Sequence, residues 1–229
     1  MIGIIGAMDV EINGLVKEMV ISEEKEISGI AFYKGLLEGK ETVVAKCNPG
    51  KVNAAICAQT MILMYDVKAL INTGVAGGLS RNLNICDVAI ASDVVEHDMD
   101  TTPLGEPAGF ISGINMVKIP ADKKIYTILG KCAKECDDTY TETGTIASGD
   151  QFLNSSVVKD RIISMFGAIA GEMEGASIGH VAYANNIPFG VLRVISDNAD
   201  GESDMDFPHF CEIAAIKSIK ICKDFVKKF

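Results

Sequence analysis

The chain has 229 residues, of which 48% are hydrophobic and 23% charged, and its formal net charge is −10. That length and apolar content suffice for one buried core and exclude a disordered, collagen-like or repetitive polymer. The acidic balance argues against a nucleic-acid partner, which draws on clustered Lys and Arg, because the only arginines are Arg81, Arg161 and Arg193.

In chain order, the N-terminal MIGIIGAMDVE lacks a basic region and reaches Asp9 early, so it reads as a first core strand rather than a signal peptide. The longest uncharged stretch, residues 52–65, carries Asn53, Gln59 and Thr60 and is shorter than the roughly 20 apolar residues of a bilayer-spanning helix. No membrane partner and a cytoplasmic location are expected. Apolar runs predict strands at 2–5, 31–37, 42–46, 69–72, 88–95, 145–147, 168–170 and 189–195. Helical spacing follows the first run, with Ile12, Leu15, Val16 and Met19 on one face. Further helices are predicted at 52–65, 123–136, 155–165, 174–185 and 207–227. Strands alternating with helices make this an α/β chain, and continuous apolar runs such as VKALIN and GVLRVI suit a sheet covered on both faces. The hairpin-like pair within 31–46 implies that the sheet is mixed. The stretch 96–119 is a long loop of the kind that often carries function, and no composition shift marks a boundary, so a single domain over 1–229 is expected.

Seven cysteines at irregular spacing imply reduced, mostly buried thiols. Cys132 and Cys136 lie one helical turn apart without a second ligand pair, so neither a metal nor another cofactor is expected. Lys220, Lys223 and Lys227 form one solvated helix face.

In an open α/β sheet ligands collect at the carboxyl ends of strands. After the first run comes GAMDVE, where Asp9 and Glu11 suit a helix N-terminus with no other role. Gly3 and Gly6 imitate a dinucleotide fingerprint, but the third glycine is absent. TGVAGG, residues 73–78, fits either a tight strand-to-helix turn or a backbone that a ligand approaches closely. Later ends supply Glu172-Met173-Glu174 and Arg193-Val194-Ile195-Ser196-Asp197, where Arg193 and Glu174 fit a structural ion pair and the other groups suit a sugar and a heterocycle.

Taken together, IIGAMDVE, INTGVAGGL, ASGDQFLNS, GEMEGASIGHVA and VLRVISDNAD resemble the nucleoside phosphorylase/hydrolase superfamily, most closely its 5′-methylthioadenosine/S-adenosylhomocysteine nucleosidases. The resemblance spans almost the whole chain. It implies a three-layer αβα sandwich with a mixed, twisted central sheet, hydrolysis of an N-glycosidic bond, and a small-molecule nucleoside substrate. It further implies that Glu11 is the base for water, Asp197 the acid for adenine N7, and Glu174 the carboxylate gripping the ribose hydroxyls. Phe152 would stack on adenine, Leu153 would offer backbone contacts, and Ser196 would support Asp197. Met8, Met173 and Phe207 would line the sugar and alkylthio pocket. A homodimer is implied as well, with Leu104 on the 96–110 loop reaching the partner's site.

Two departures from that pattern stand out. Val75 replaces a usual Ser, and the loop HDMDTTPLGEPAGF lacks the family's aromatic character, with Leu104 where a Phe is usual. His97 is expected to be a hydrogen-bonded loop histidine, His180 to pack on a helix, and His209 to cover the site near Phe207. A purine nucleoside phosphorylase of the same fold is the nearest alternative, disfavoured by the scarcity of arginine for phosphate. A non-catalytic adenosine-binding protein is the other, disfavoured because a binder has no need of Glu11 as a base.

Overall fold

A computed structural model describes residues 1–136, 139–198 and 207–229, with the side chains of 207 and 208 outside that description. Among the described residues, six α-helices surround a ten-stranded sheet. β1 (Ile2–Gly6) leads into α1 (Asp9–Glu18), and β2 (Val20–Ile27), β3 (Ile30–Leu37) and β4 (Lys40–Lys46) follow as a meander. Next come α2 (Lys51–Tyr65), β5 (Ala69–Gly78), β6 (Val88–Glu96), β7 (Lys118–Pro120) and α3 (Lys123–Lys134). The chain finishes with β8 (Thr141–Ser148), α4 (Ser156–Phe166), β9 (Ala168–Glu172), α5 (Gly175–Ala184), β10 (Phe189–Asp197) and α6 (Phe207–Lys228).

The period of two along β1 builds the layers. Ile2 and Ile4 face a core with Ile12 and Leu15 of α1, Leu129 of α3 and Phe225 of α6, whereas Ile5 faces Ala54 and Met61 of α2 and Ile178 of α5. Two helical layers therefore enclose the sheet, as expected. A smaller cluster under α4 joins Leu79, Val95, Ala147, Leu153, Ile162 and Phe166. Local signals fix the helix ends. Asp122 accepts the Ile125 N–H at 2.9 Å to cap α3, and Gly167 closes α4 at φ 62°.

The sheet is mixed. β4, β1, β5 and β10 run parallel, and β3 and β2 extend them antiparallel. On the other side β10 pairs β6 antiparallel, β6 and β9 flank β8 in parallel, and β9 returns to β5 antiparallel through Gly77 opposite Gly171. Strands β5, β10, β6, β8 and β9 thus close a circuit, which brings the end of β9 against the far end of β5.

Several sequence expectations need correction. TGVAGG is no turn: β5 continues through Gly78, paired with β10 from Leu70 to Gly77. β2 was not foreseen because VISEEKEI is exposed along nearly its whole length and has no apolar face; the Ser28-Gly29 turn, at φ 55° and 73°, folds it onto β3. Part of the 96–119 stretch forms β7 on the edge of β6. The lysine face of α6 is not simply solvated, since Lys223 pairs with Glu18, and Lys227 with Glu38 at 3.3 Å, tying α6 to α1 and to the β3–β4 turn.

Candidate active site

Six chain segments that follow or end strands line one cavity. Ala7, Met8 and Glu11 come after β1, Pro49 after β4, and Val75–Gly77 lie within β5. Gln151, Phe152 and Leu153 follow β8, Gly171–Glu174 span the end of β9, and Ser196 and Asp197 end β10. Because β1 and β10 flank β5 on either side, Glu11 and Asp197 enter the cavity from opposite sides of that strand.

Glu11 sits at the third position of α1 and folds back over the helix start. Its Oε2 accepts the N–H groups of Ala7 and Met8 at 2.6 and 2.9 Å, and its Oε1 accepts that of Val75 at 3.0 Å. The helix-terminus role expected from sequence is therefore real, but the carboxylate that fills it is 2% exposed and belongs to the cavity wall. Burial pushes its pKa up, against the opposing pull of Arg193 and the three N–H donors. A carboxylate tuned upward in this way is a stronger base than an exposed one. Asp9 stays at the surface, paired with Lys46 at 2.9 Å.

Arg193 organises the acidic floor. It is 1% exposed, and its Nη2 donates to Glu172, to Asn72 Oδ1 at 2.5 Å and to Glu174 Oε2 at 3.5 Å. The ion pair expected between Arg193 and Glu174 is thus secondary; the close partner is Glu172. Burial pushes Glu172 up, but Arg193 and the Ser148 hydroxyl outweigh it and hold this carboxyl below its ordinary range. Glu174 is the opposite case. Burial and the neighbouring Glu172 charge raise it to about 7, although Gly50 donates its N–H to Glu174 Oε1 at 2.8 Å.

The other expected residues fall as follows. Ser196 Oγ donates to Asp197 Oδ2 at 2.9 Å, so the pair occurs as a unit at the end of β10. Met8 and Met173 line the cavity, and so does Phe152, which is 57% exposed at its mouth. Leu153 lines the cavity as well, and its side chain joins the α4 cluster, where Cδ1 would stand 2.3 Å from a Cβ on Gly171. Val75 also lines the cavity, but its part in the acidic network is played by its N–H. Leu104 is 83% exposed on a 3₁₀ turn (Thr102–Leu104) and does not line the cavity of its own chain. Phe207 begins α6, and its side chain lies outside the described residues.

His97 is not the hydrogen-bonded loop histidine expected from the sequence. His97 is buried, and neither ring nitrogen finds a hydrogen-bond partner among the described residues. Its ring packs instead on Gly149, where a Cβ would come within 2.4 Å of Nε2, and burial holds its pKa down. His180 lies 3.3 Å from Glu96 through Nδ1, and His209 is exposed. Cys132 and Cys136 are buried in the core beside Leu129, and among the described residues no group of three or more potential ligands is placed to hold a metal ion.

Sequence reasoning passed over Glu172, Asn72, Ser148 and Gln151. Glu172 stood inside the quoted GEMEG run, but its role depends on the register that sets Ser148 opposite Glu172 across β8 and β9.

The curled mixed sheet brings these carboxylates to one cavity beside the Ser196–Asp197 pair and the exposed Phe152 ring. A family model described as the phosphorylase superfamily matches residues 1–227. An aminodeoxyfutalosine nucleosidase of Helicobacter pylori is 38% identical over 98% of this chain and 97% of its own. A 5′-methylthioadenosine/S-adenosylhomocysteine nucleosidase of Exiguobacterium is 36% identical over 99% and 97%. The crystal structure of the corresponding Neisseria meningitidis nucleosidase in complex with methylthio-immucillin-A superposes with a TM-score of 0.95 at 33% identity, covering 100% of this chain and 99% of that one. The chain belongs to the phosphorylase superfamily and, within it, to the nucleosidases.

Proposed function

We propose that this enzyme hydrolyses the N-glycosidic bond of 5′-methylthioadenosine and S-adenosylhomocysteine, releasing adenine and the thioribose product. Glu11 takes a proton from the attacking water, Asp197 delivers one to N7 of the departing adenine, and Glu174 accepts the ribose hydroxyls. Phe152 stacks on the base, the Leu153 backbone meets its edge, and Ser196 orients Asp197. Placing base and acid on the two flanks of β5 suits a ribosyl group held between them, since two strand spacings separate β1 from β10 by about 9.5 Å.

The observation that carries hydrolysis over phosphorolysis is the lining of the cavity. Among the described residues it contains no Lys or Arg; Arg81 and Arg161 are exposed, and Arg193 is engaged by Glu172, Glu174 and Asn72. A phosphate nucleophile would find no cation there, whereas water needs only a base.

The active enzyme is a homodimer in which Leu104 and the 96–110 loop of one subunit complete the 5′ pocket of the other, together with Met8, Met173 and Phe207. The exposed apolar side chains of Leu104, Phe152, Val157 and Met165 support such an interface. The reaction belongs to cytoplasmic nucleoside catabolism and methionine salvage. The identity of 38% to an aminodeoxyfutalosine nucleosidase favours a second substrate with the same adenine and ribose but another 5′ substituent. Base release with and without phosphate, as adenine from methylthioadenosine, S-adenosylhomocysteine and aminodeoxyfutalosine and as hypoxanthine from inosine, tests the reaction and its substrate range. Phosphate-independent release from the thioethers is expected; a strict phosphate requirement would overturn hydrolysis.

A further inference from the structure

Lys51, the first residue of α2, joins four segments of the chain. Its Nζ donates to Asp98 Oδ1 at 2.7 Å, just beyond β6, and at 3.1 Å to Oε2 of Glu96, the last residue of that strand. Its backbone N–H donates to Asp150 Oδ1 at 2.8 Å, and its carbonyl accepts the Ser177 hydroxyl of α5 at 2.7 Å. Asp98 also accepts the Asp150 N–H through Oδ2 at 2.9 Å, so Asp150 is gripped at its backbone by Asp98 and at its side chain by Lys51. The preceding residue, Gly50, donates to Glu174.

This cluster is largely hidden from solvent, with the side chains of Lys51, Asp98 and Glu96 at 20%, 17% and 8% exposure. Burial alone would favour a neutral amine, but Asp98 and Glu96 outweigh it and keep Lys51 charged. Charge-assisted hydrogen bonds are the stronger kind, and they hold Asp98 below the ordinary carboxylate range despite its burial. The segment they hold needs such support. Residues 149–155 between β8 and α4 have no helix or strand of their own, yet Gln151, Phe152 and Leu153 form one wall of the cavity. Its other anchors are the Gly149 N–H on the Glu172 carbonyl at 3.1 Å and the His97 ring packed on Gly149.

We infer that Lys51 is a positioning residue for recognition of the base: through Asp98 and Asp150 it fixes the 150–153 wall at the separation from Glu174 that Gly50 sets. A purine against Phe152 and a ribose on Glu174 are then held in one register. The inference rests on the assignment of Phe152 and Leu153 as the base wall, and its test separates the two.

The variants are Lys51→Met, Lys51→Arg, Asp98→Asn and Phe152→Ala, and the readouts are kcat, KM, the inhibition constant of free adenine, and Tm. Lys51→Met is expected to raise KM and the adenine constant about 10-fold, with kcat changed by less than about 3-fold, and Lys51→Arg to restore most of the loss. Asp98→Asn is nearly isosteric and is expected to reproduce the effect even if Lys51→Met folds poorly. Combining the two should add little, because both cut one tether. A lowered Tm with unchanged KM and adenine constant in Asp98→Asn, or failure of Lys51→Arg to rescue, overturns the inference. Phe152→Ala identifies the source of failure. If adenine binds it normally, the base-wall assignment falls; if adenine binds it weakly while the Lys51 and Asp98 variants bind normally, only the tether falls.

Discussion

Val75 donates its backbone N–H to Oε1 of Glu11 at 3.0 Å, while Ala7 and Met8 hold Oε2. Both carboxylate oxygens are thereby committed as acceptors. Glu11→Gln offers only one acceptor oxygen, so it loses the base and also turns an amide N–H toward a backbone N–H. Turnover is expected to fall by about 10²–10⁴. Thermal stability should drop as well, because a buried donor left unpaired costs about 1–3 kcal/mol. Steady-state adenine release and a melting curve check both; retained turnover would require another activator of water.

The same contact separates two neighbouring substitutions. Val75→Ser keeps the N–H that binds Glu11 and is expected to stay active, with a modest gain on methylthioadenosine if its hydroxyl orders water. Gly74→Ala puts a Cβ 2.2 Å from Glu11 Oε1 and 2.6 Å from Arg193 Nη1, both buried and charged. Neither group can retreat without losing partners, so loss of activity and a lower Tm are expected from one added methyl. Purified variants assayed side by side give the contrast; an active, stable Gly74→Ala enzyme would refute the close packing.

Asp197→Asn preserves shape and the Ser196 hydroxyl as a donor to its side-chain oxygen, but an amide cannot protonate N7. Substrate affinity should survive while kcat falls by about 10²–10⁴. Single-turnover measurements distinguish this from a binding defect, and near-normal kcat would remove Asp197 from the acid role.

Much of this site was legible because strand ends carry ligands and the apolar runs that mark strands are short and clear. Glu11, Glu174, Ser196 and Asp197 all follow or end such runs and all reach one cavity. What stayed hidden depends on register and curvature. Arg193 pairs with Glu172 rather than mainly with Glu174 because β9 curls back to β5, and no local pattern records that closure. β2 shows neither an apolar run nor a buried face, so only its pairing to β3 makes it a strand. Lys51 lies just before the helix expected at 52–65, where no local pattern singles it out; its partners lie 45 to 126 residues away along the chain.

Glu174 links the site to stability. Its pKa is raised from 4.5 to about 7 by burial and by Glu172, so between those values the folded chain binds a proton that the unfolded chain releases. Stability therefore falls as pH rises through that window, by up to about 3 kcal/mol above pH 7. Glu174→Gln is expected to melt higher than the parent at pH 8, with the gap closing toward pH 4.5, while kcat/KM falls through loss of the ribose contact. In the parent, kcat/KM should decline on the acid side as this carboxylate protonates. A melting difference independent of pH would contradict the shift.

Met8 and Met173 line the cavity, and thioether side chains adapt readily to an apolar guest. On the proposed arrangement, in which Leu104 of a second subunit completes the recess, a methylthio group buried there is expected to raise kcat/KM over adenosine by about 10–200-fold. A 5′-hydroxyl would gain less and would give up hydrogen bonds to water. Leu104→Phe should sharpen the preference for a small methylthio group over the larger homocysteine arm by filling the recess, and Leu104→Ala should flatten it. Equal kcat/KM for adenosine and methylthioadenosine would leave a general purine ribonucleoside hydrolase. If the preference held but did not respond to Leu104, the recess would belong to the methionines of the same chain, and the partner's loop would serve assembly rather than selection.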